Sequence, residues 1–279
     1  NRPGPTNYAP NSLAGTPQEA PLKKEGYAHY PAPVNGVKTR ERSKTFGDHY
    51  TQAALFFNSL TVPEQDHIGQ ALTVELSKVT DAKIKTVMLE HLAKIDQDLA
   101  GQVAGKIGMQ APKGASAARA GKSKGLSQQE GPKDSIKRRK VAILAADGVT
   151  AADVKRMAGS LKKEGATTEV IALRLGDLKG DVKVDKSFAT ADSVMYDAVY
   201  VPGGPESVTA LIGEEKARRF VRQAYDHGKA LGAIGEGTEL FQSVGVGEAP
   251  GVVVDKGGND GFKSFITAIA QHRHWNRPK

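Results

Sequence analysis

No cysteine occurs among the 279 residues, which excludes disulfides, thiolate metal sites, iron–sulfur clusters and a cysteine nucleophile. The zero carries no direct information on redox compartment. No apolar run approaches the roughly 18 residues that a bilayer-spanning helix needs, so no transmembrane segment and no membrane partner are expected. There is no Asn-X-Ser/Thr sequon, and the chain opens on Asn1 without an initiator Met or a basic-then-apolar leader. The numbering is therefore expected to begin inside a longer precursor or a trimmed chain, which leaves localisation open between cytoplasmic and secreted.

What is present suffices for folding: 39% hydrophobic and 25% charged residues, over a length that suits about two domains. The net charge of +8 is concentrated. Residues 110–140 hold nine basic side chains against Glu130 and Asp134, which accounts for nearly all of it. The same stretch is rich in Gly, Ala, Ser and Lys and has no aromatic residue, so 110–138 reads as a flexible basic linker rather than a specific nucleic-acid site. Residues 1–47 read as an extended arm, since seven of the fourteen prolines fall before residue 34 and each removes an amide donor.

Residues 48–109 are helical by pattern. Asp48 is placed to cap a helix carrying Ala53, Ala54, Phe56 and Phe57, and Thr61-Val62-Pro63-Glu64 supplies a capping box with an early proline. Ile68, Leu72, Leu76 and Val79, then Ile84, Met88, Leu92, Ile95, Leu99, Val103 and Ile107, recur at three- and four-residue steps, the stripe of amphipathic helices that need a partner.

From residue 139 short apolar runs at 141–145, 168–173, 198–201 and 230–234 alternate with helical stretches, which predicts an α/β domain with a flavodoxin-like, doubly wound parallel sheet. In such sheets the functional crevice lies at the carboxyl ends of the strands. The turns at 146–150, 202–206 and 235–238 are expected to converge there.

Those turns carry a resemblance. Asp147-Gly148-Val149, then Asp197-Ala198-Val199-Tyr200-Val201-Pro202-Gly203-Gly204, then Ala233-Ile234-Gly235-Glu236-Gly237 resemble the DJ-1/PfpI, or class I glutamine-amidotransferase-like, superfamily. In active members the elbow after the fourth strand carries a cysteine, and a glutamate after the first strand holds it as thiolate. Gly235 stands in the cysteine place. Thr150, or a neighbour within one turn, stands in the glutamate place, with Asp153 a helical turn further on. Glycine offers no nucleophile, so the elbow of Gly235, Glu236, Thr150 and Asp153 is expected to be vestigial, with no catalytic residue. Glu236 and Glu239 as an acid/base pair lack a nucleophile to serve.

The first half is similar to another family. Pro5-Thr6-Asn7-Tyr8-Ala9-Pro10-Asn11-Ser12, Asp48-His49-Tyr50-Thr51-Gln52-Ala53-Ala54-Leu55-Phe56-Phe57-Asn58-Ser59-Leu60 and the helix from Glu64 to Val79 resemble the end of the haem-catalase core. Together with the cysteine-free domain, this order resembles the C-terminal part of the large-subunit (clade 2) haem catalases. The resemblance implies a parent that degrades hydrogen peroxide as a homotetramer, with haem held in an earlier portion of the chain. The family's proximal Arg-X-Phe-X-Tyr pattern is met only by Arg218-Arg219-Phe220-Val221-Arg222, which has Arg in the ligand place. No cofactor is therefore expected here.

Other candidates are weaker. His227, His272 and His274 lack a carboxylate motif and read as a basic tail rather than a metal site. Gly232, Gly235 and Gly237 lack the spacing of a dinucleotide loop, and Asp147 lacks the acidic cluster of a phosphoacceptor. Three functions follow: stabilisation of the parent core and sister subunits, a holdase chaperone acting on unfolded clients, and, third, an independent DJ-1/PfpI-type enzyme.

Overall fold

A computed structural model describes residues 31–38, 40–114, 118–255 and 259–278. The Pro5–Ser12 segment lies outside them. The chain divides into two units, residues 1–48 and 49–279. In the first, the described residues are exposed and hold a single turn of 3₁₀ helix at Lys44–Gly47, with the Arg42 guanidinium 4.5 Å from the Phe46 ring centroid.

The second unit begins with four helices, α1 (Thr51–Ser59), α2 (Val62–Ser77), α3 (Ala82–Ile95) and α4 (Gln97–Lys106). Their limits follow side-chain chemistry. The Glu64 carboxylate accepts from the Thr61 amide at 2.8 Å, forming the capping box, and Pro63 occupies the first turn, where its missing N–H costs nothing. Tyr50, rather than Asp48, occupies the cap position of α1. The stripe from Ile84 to Ile107 is two helices, because Asp96 leaves helical geometry and accepts from the Leu99 amide at 2.8 Å to start α4. Phe57, Leu76, Leu89, Leu92, Leu99 and Val103 close a small core among the four, while Ile84 at the start of α3 faces outward.

The basic segment after α4 is fastened to these helices. Ala118 N donates to Lys94 O, Ser123 N to Ser59 Oγ, and both Ser127 Oγ and Gln128 N to Glu64, each at 2.8 Å. Burial alone would raise the Glu64 carboxyl, but the hydrogen bonds from Thr61, Ser127 and Gln128 outweigh it and hold its pKa below the usual glutamate value.

Beyond it stand β1 (Lys140–Leu144), α5 (Ala151–Lys163), β2 (Thr167–Ala172), β3 (Gly176–Leu178), β4 (Val182–Val184), β5 (Lys186–Ser187) and β6 (Ala198–Val201). The series continues with α6 (Pro205–Gly213), α7 (Glu215–Asp226), β7 (Ala230–Ile234), α8 (Gly237–Ser243), β8 (Val252–Asp255) and α9 (Asn259–Gln271). The main sheet has the order β5-β2-β1-β6-β7-β8, all parallel, and β3 and β4 form a separate antiparallel hairpin. Without the short edge strand β5 this is the flavodoxin-like order, with its switch point between β1 and β6.

Continuous apolar strands are required because both faces are covered. Val141, Ile143 and Tyr200 pack with Met157 and Leu161 of α5 and Phe265 of α9 on one face. Ala142, Leu144, Val199 and Leu231 pack with Phe220 of α7 and Leu240 of α8 on the other. Among the described residues no helix is long and apolar enough to cross a membrane.

Candidate functional site

At the carboxyl edge of the sheet the three turns meet. The Thr150 amide donates to Gly203 O at 2.9 Å, joining the turn after β1 to that after β6. The Gly204 amide donates to Glu236 Oε2 at 3.1 Å, joining the turn after β6 to that after β7. Deeper down, the Ala146 amide donates to the buried Ser207 hydroxyl at 2.8 Å.

Glycine makes this closeness possible. A Cβ on Gly204, whose φ is +118°, would lie 2.3 Å from Gly148 O, and one on Gly237 would lie 2.4 Å from Val201 O. A Cβ on Gly203 would stand 3.2 Å from Glu236 Oε2 and 3.3 Å from Asp153 Oδ2, so the two carboxylates flank the same backbone.

Gly235 differs. Its φ of +55° would strain a residue carrying a side chain, yet a Cβ there would meet nothing within 4 Å. The elbow therefore has room for a side chain and carries none. Thr150 sits in the N-cap position of α5 without a side-chain capping bond, and Asp153 in the first turn pairs with Arg156 at 3.2 Å. The exposed Glu236 carboxyl is held below its ordinary pKa by the Gly204 amide. Gly235, Glu236, Thr150 and Asp153 are thus brought to one edge, with no nucleophilic side chain at the elbow position.

Tyr200, 1% exposed on β6, has a buried hydroxyl without a hydrogen-bond partner. Burial raises its pKa, and the charges of Asp153 and Asp255 push the same way. Periodicity could not have singled it out, because a tyrosine in a buried strand reads as core.

Other candidates have partners of their own. Asp147 pairs with Arg174 at 3.0 Å. His272 Nε2 lies 3.4 Å from Asp197 Oδ1, and His274 Nε2 bonds Ala268 O at 2.9 Å, with its pKa lowered by burial and by the neighbouring arginines. Among the described residues no group of three His, Asp or Glu could hold a metal ion. Arg218-Arg219-Phe220-Val221-Arg222 lies on α7, with Phe220 buried and Arg222 paired to Asp226 at 2.9 Å.

Two anchors were not visible in the sequence. The buried Arg277 guanidinium donates to Pro250 O, Tyr225 O and Lys229 O at 2.6–2.7 Å, fixing the C-terminal tail. Trp275 of that tail meets His67 of α2 edge to face, with centroids 4.9 Å apart, which links the helical segment to the α/β domain.

Residues 137–279, more than half of the chain, match the family described as the C-terminal domain found in long catalases. The chain belongs to the long-catalase family. Residues 43–107 match a second family, described as catalase-related and immune-responsive, over the helical segment. The chain is similar over 98% of its length to Catalase-2 of Bacillus subtilis at 38% identity, to Catalase HPII of Mycobacterium avium at 35%, and to Catalase-1 of Neurospora crassa at 32%. It spans 41–42% of the length of these relatives. This long-catalase chain thus carries both the helical segment and the α/β domain.

Proposed function

We propose that this chain is the haem-free C-terminal portion of a hydrogen-peroxide-degrading large-subunit catalase, and that it stabilises the subunit and its tetrameric assembly. The observation that carries this reading is the elbow at Gly235. Gly235 has a φ of +55°, has open space beside it, and offers no side chain to react, which supports this reading. A domain kept with its strand order intact and its elbow empty contributes surface and packing rather than turnover.

The residues present do not suit haem. Arg222 stands in the ligand place of the Arg-X-Phe-X-Tyr pattern and is committed to Asp226. An oxygen-electrode assay should find no peroxide dismutation by this chain, before or after addition of haemin, and no Soret shift on mixing. Turnover above that of free haemin would overturn the reading.

A second reading, a holdase that shields unfolded clients, draws on the apolar side chains on the outside of the helical segment. Val62 is 69% exposed and Val74 56%, with Ile84 and Val87 also outward. Light scattering from a heated client enzyme tests it: suppression at near-stoichiometric ratios would establish the holdase, and none would leave the stabilising role alone. A DJ-1/PfpI-type enzyme is disfavoured by the bare elbow, and robust turnover of a glyoxal-type substrate would be needed to restore it.

A further inference from the structure

A cavity of about 50 Å³ lies where the basic segment crosses the end of α9, lined by Gln128, Gln129, Lys133, Arg139, His272 and Arg273 among others. Every ionisable side chain in this set is basic. The carboxylate acting on Arg273 is Asp197, already shared between Arg139 at 3.3 Å and His272 at 3.4 Å. Lys133 and Arg273 form no ion pair among the described residues, and the only bond from the Arg273 guanidinium goes to the carbonyl of its neighbour His272, at 2.9 Å.

The last carbonyls of α9 add about half a negative charge. Against this and Asp197 stand Lys133, Arg139 and Arg273 in the lining, with Glu130 and Asp134 exposed on the same segment outside it, so the lining itself is positive. Arg273 is also partly desolvated, and burial lowers its pKa. Asp197 acts on Arg273 through charge without bonding it, so the donors of its guanidinium are left for solvent or an anion. The room is that of a few water molecules, the scale of a small tetrahedral oxyanion.

We propose that this cavity is a binding site for a small oxyanion of the phosphate or sulfate type, held by Arg273 and Lys133 and bordered by Arg139 and His272. The guanidinium fork of Arg273 supplies the directional bonds and the exposed Lys133 a point charge. Occupancy would tie the basic segment to the α/β domain through charge rather than through apolar burial.

Titration calorimetry with inorganic phosphate on the whole chain at low ionic strength tests it. One site per chain is expected, with a dissociation constant of about 1 mM or tighter. Arg273→Gln and Lys133→Gln should each weaken it about fivefold or more. Lys133 is exposed, so its variant folds whatever becomes of Arg273→Gln, and Lys83→Gln on α3 should leave binding unchanged. Absence of saturable binding by the native chain, or binding that Lys133→Gln leaves untouched, would overturn the proposal.

Discussion

The Ser127 hydroxyl donates to Glu64 Oε2 at 2.8 Å across 63 positions of sequence. The carboxylate that starts α2 therefore also clips the basic segment back onto the helices. One side chain performs a local and a long-range task, and the second is invisible to any periodicity.

Glu64→Gln keeps the shape and removes the charge, so it should weaken the bonds from Thr61, Ser127 and Gln128 together. A loss of about 1 kcal/mol is expected in denaturant titration, together with faster proteolysis between Ser123 and Glu130. Unchanged cleavage there would show that the clip does not hold the segment.

Glu169 gives the pH dependence. Its own burial would raise its pKa, but Lys140, Tyr196 and Lys186 outweigh this and bring it down to about 2. A carboxyl depressed in the folded state contributes stability that is present above its unfolded pKa, near 4.5, and lost as pH falls toward 2. Stability of the α/β domain should therefore decline between about pH 5 and pH 2. Asp197, lowered to about 2 by His272, the Lys140 amide and Arg139 against its burial, adds to the same slope. Glu169→Gln should flatten the curve and cost about 1–2 kcal/mol at neutral pH, with allowance for partial exposure. An equal slope in the variant would contradict this assignment.

Two glycines should separate packing from strain. Gly204→Ala forces a Cβ into Gly148 O and also takes a positive φ, so a loss of about 3 kcal/mol or more is expected. Gly235→Ala meets open space and bears only the backbone cost, about 1 kcal/mol. Thermal unfolding of the pair measures the difference. A reversed order would mean that the elbow, not the Pro202–Gly204 turn, is the tightly packed element.

Tyr200→Phe deletes a buried hydroxyl that has no partner, and should be neutral or stabilising by up to about 1 kcal/mol. Destabilisation would reveal that the hydroxyl is satisfied in solution.

The architecture was legible because strands covered on both faces are written as unbroken apolar runs. β1, β6 and β7 fall close to where 141–145, 198–201 and 230–234 predicted, and the three turns at their ends converge as the topology requires. Elements with weak signals were not legible. α6 begins at Pro205 directly after the glycine pair, inside the segment that reads as a turn, and β3 and β4 are three residues each, too short for alternation to register. Within the site, Gly235 and Glu236 could be placed from the sequence because they follow a clear strand. The shared position of Asp153 and Glu236 around Gly203 depends on side-chain direction, and the fastening of the basic segment on polar bonds between distant residues, neither of which periodicity encodes.

The most direct test compares a parent long catalase with a variant lacking the portion corresponding to residues 137–279, following peroxide dismutation during incubation at elevated temperature. The account predicts the same initial rate per haem in both proteins, with faster inactivation and dissociation of subunits in the shortened one. An unchanged half-life, or an initial rate per haem that collapses while the assembly stays intact, would contradict it.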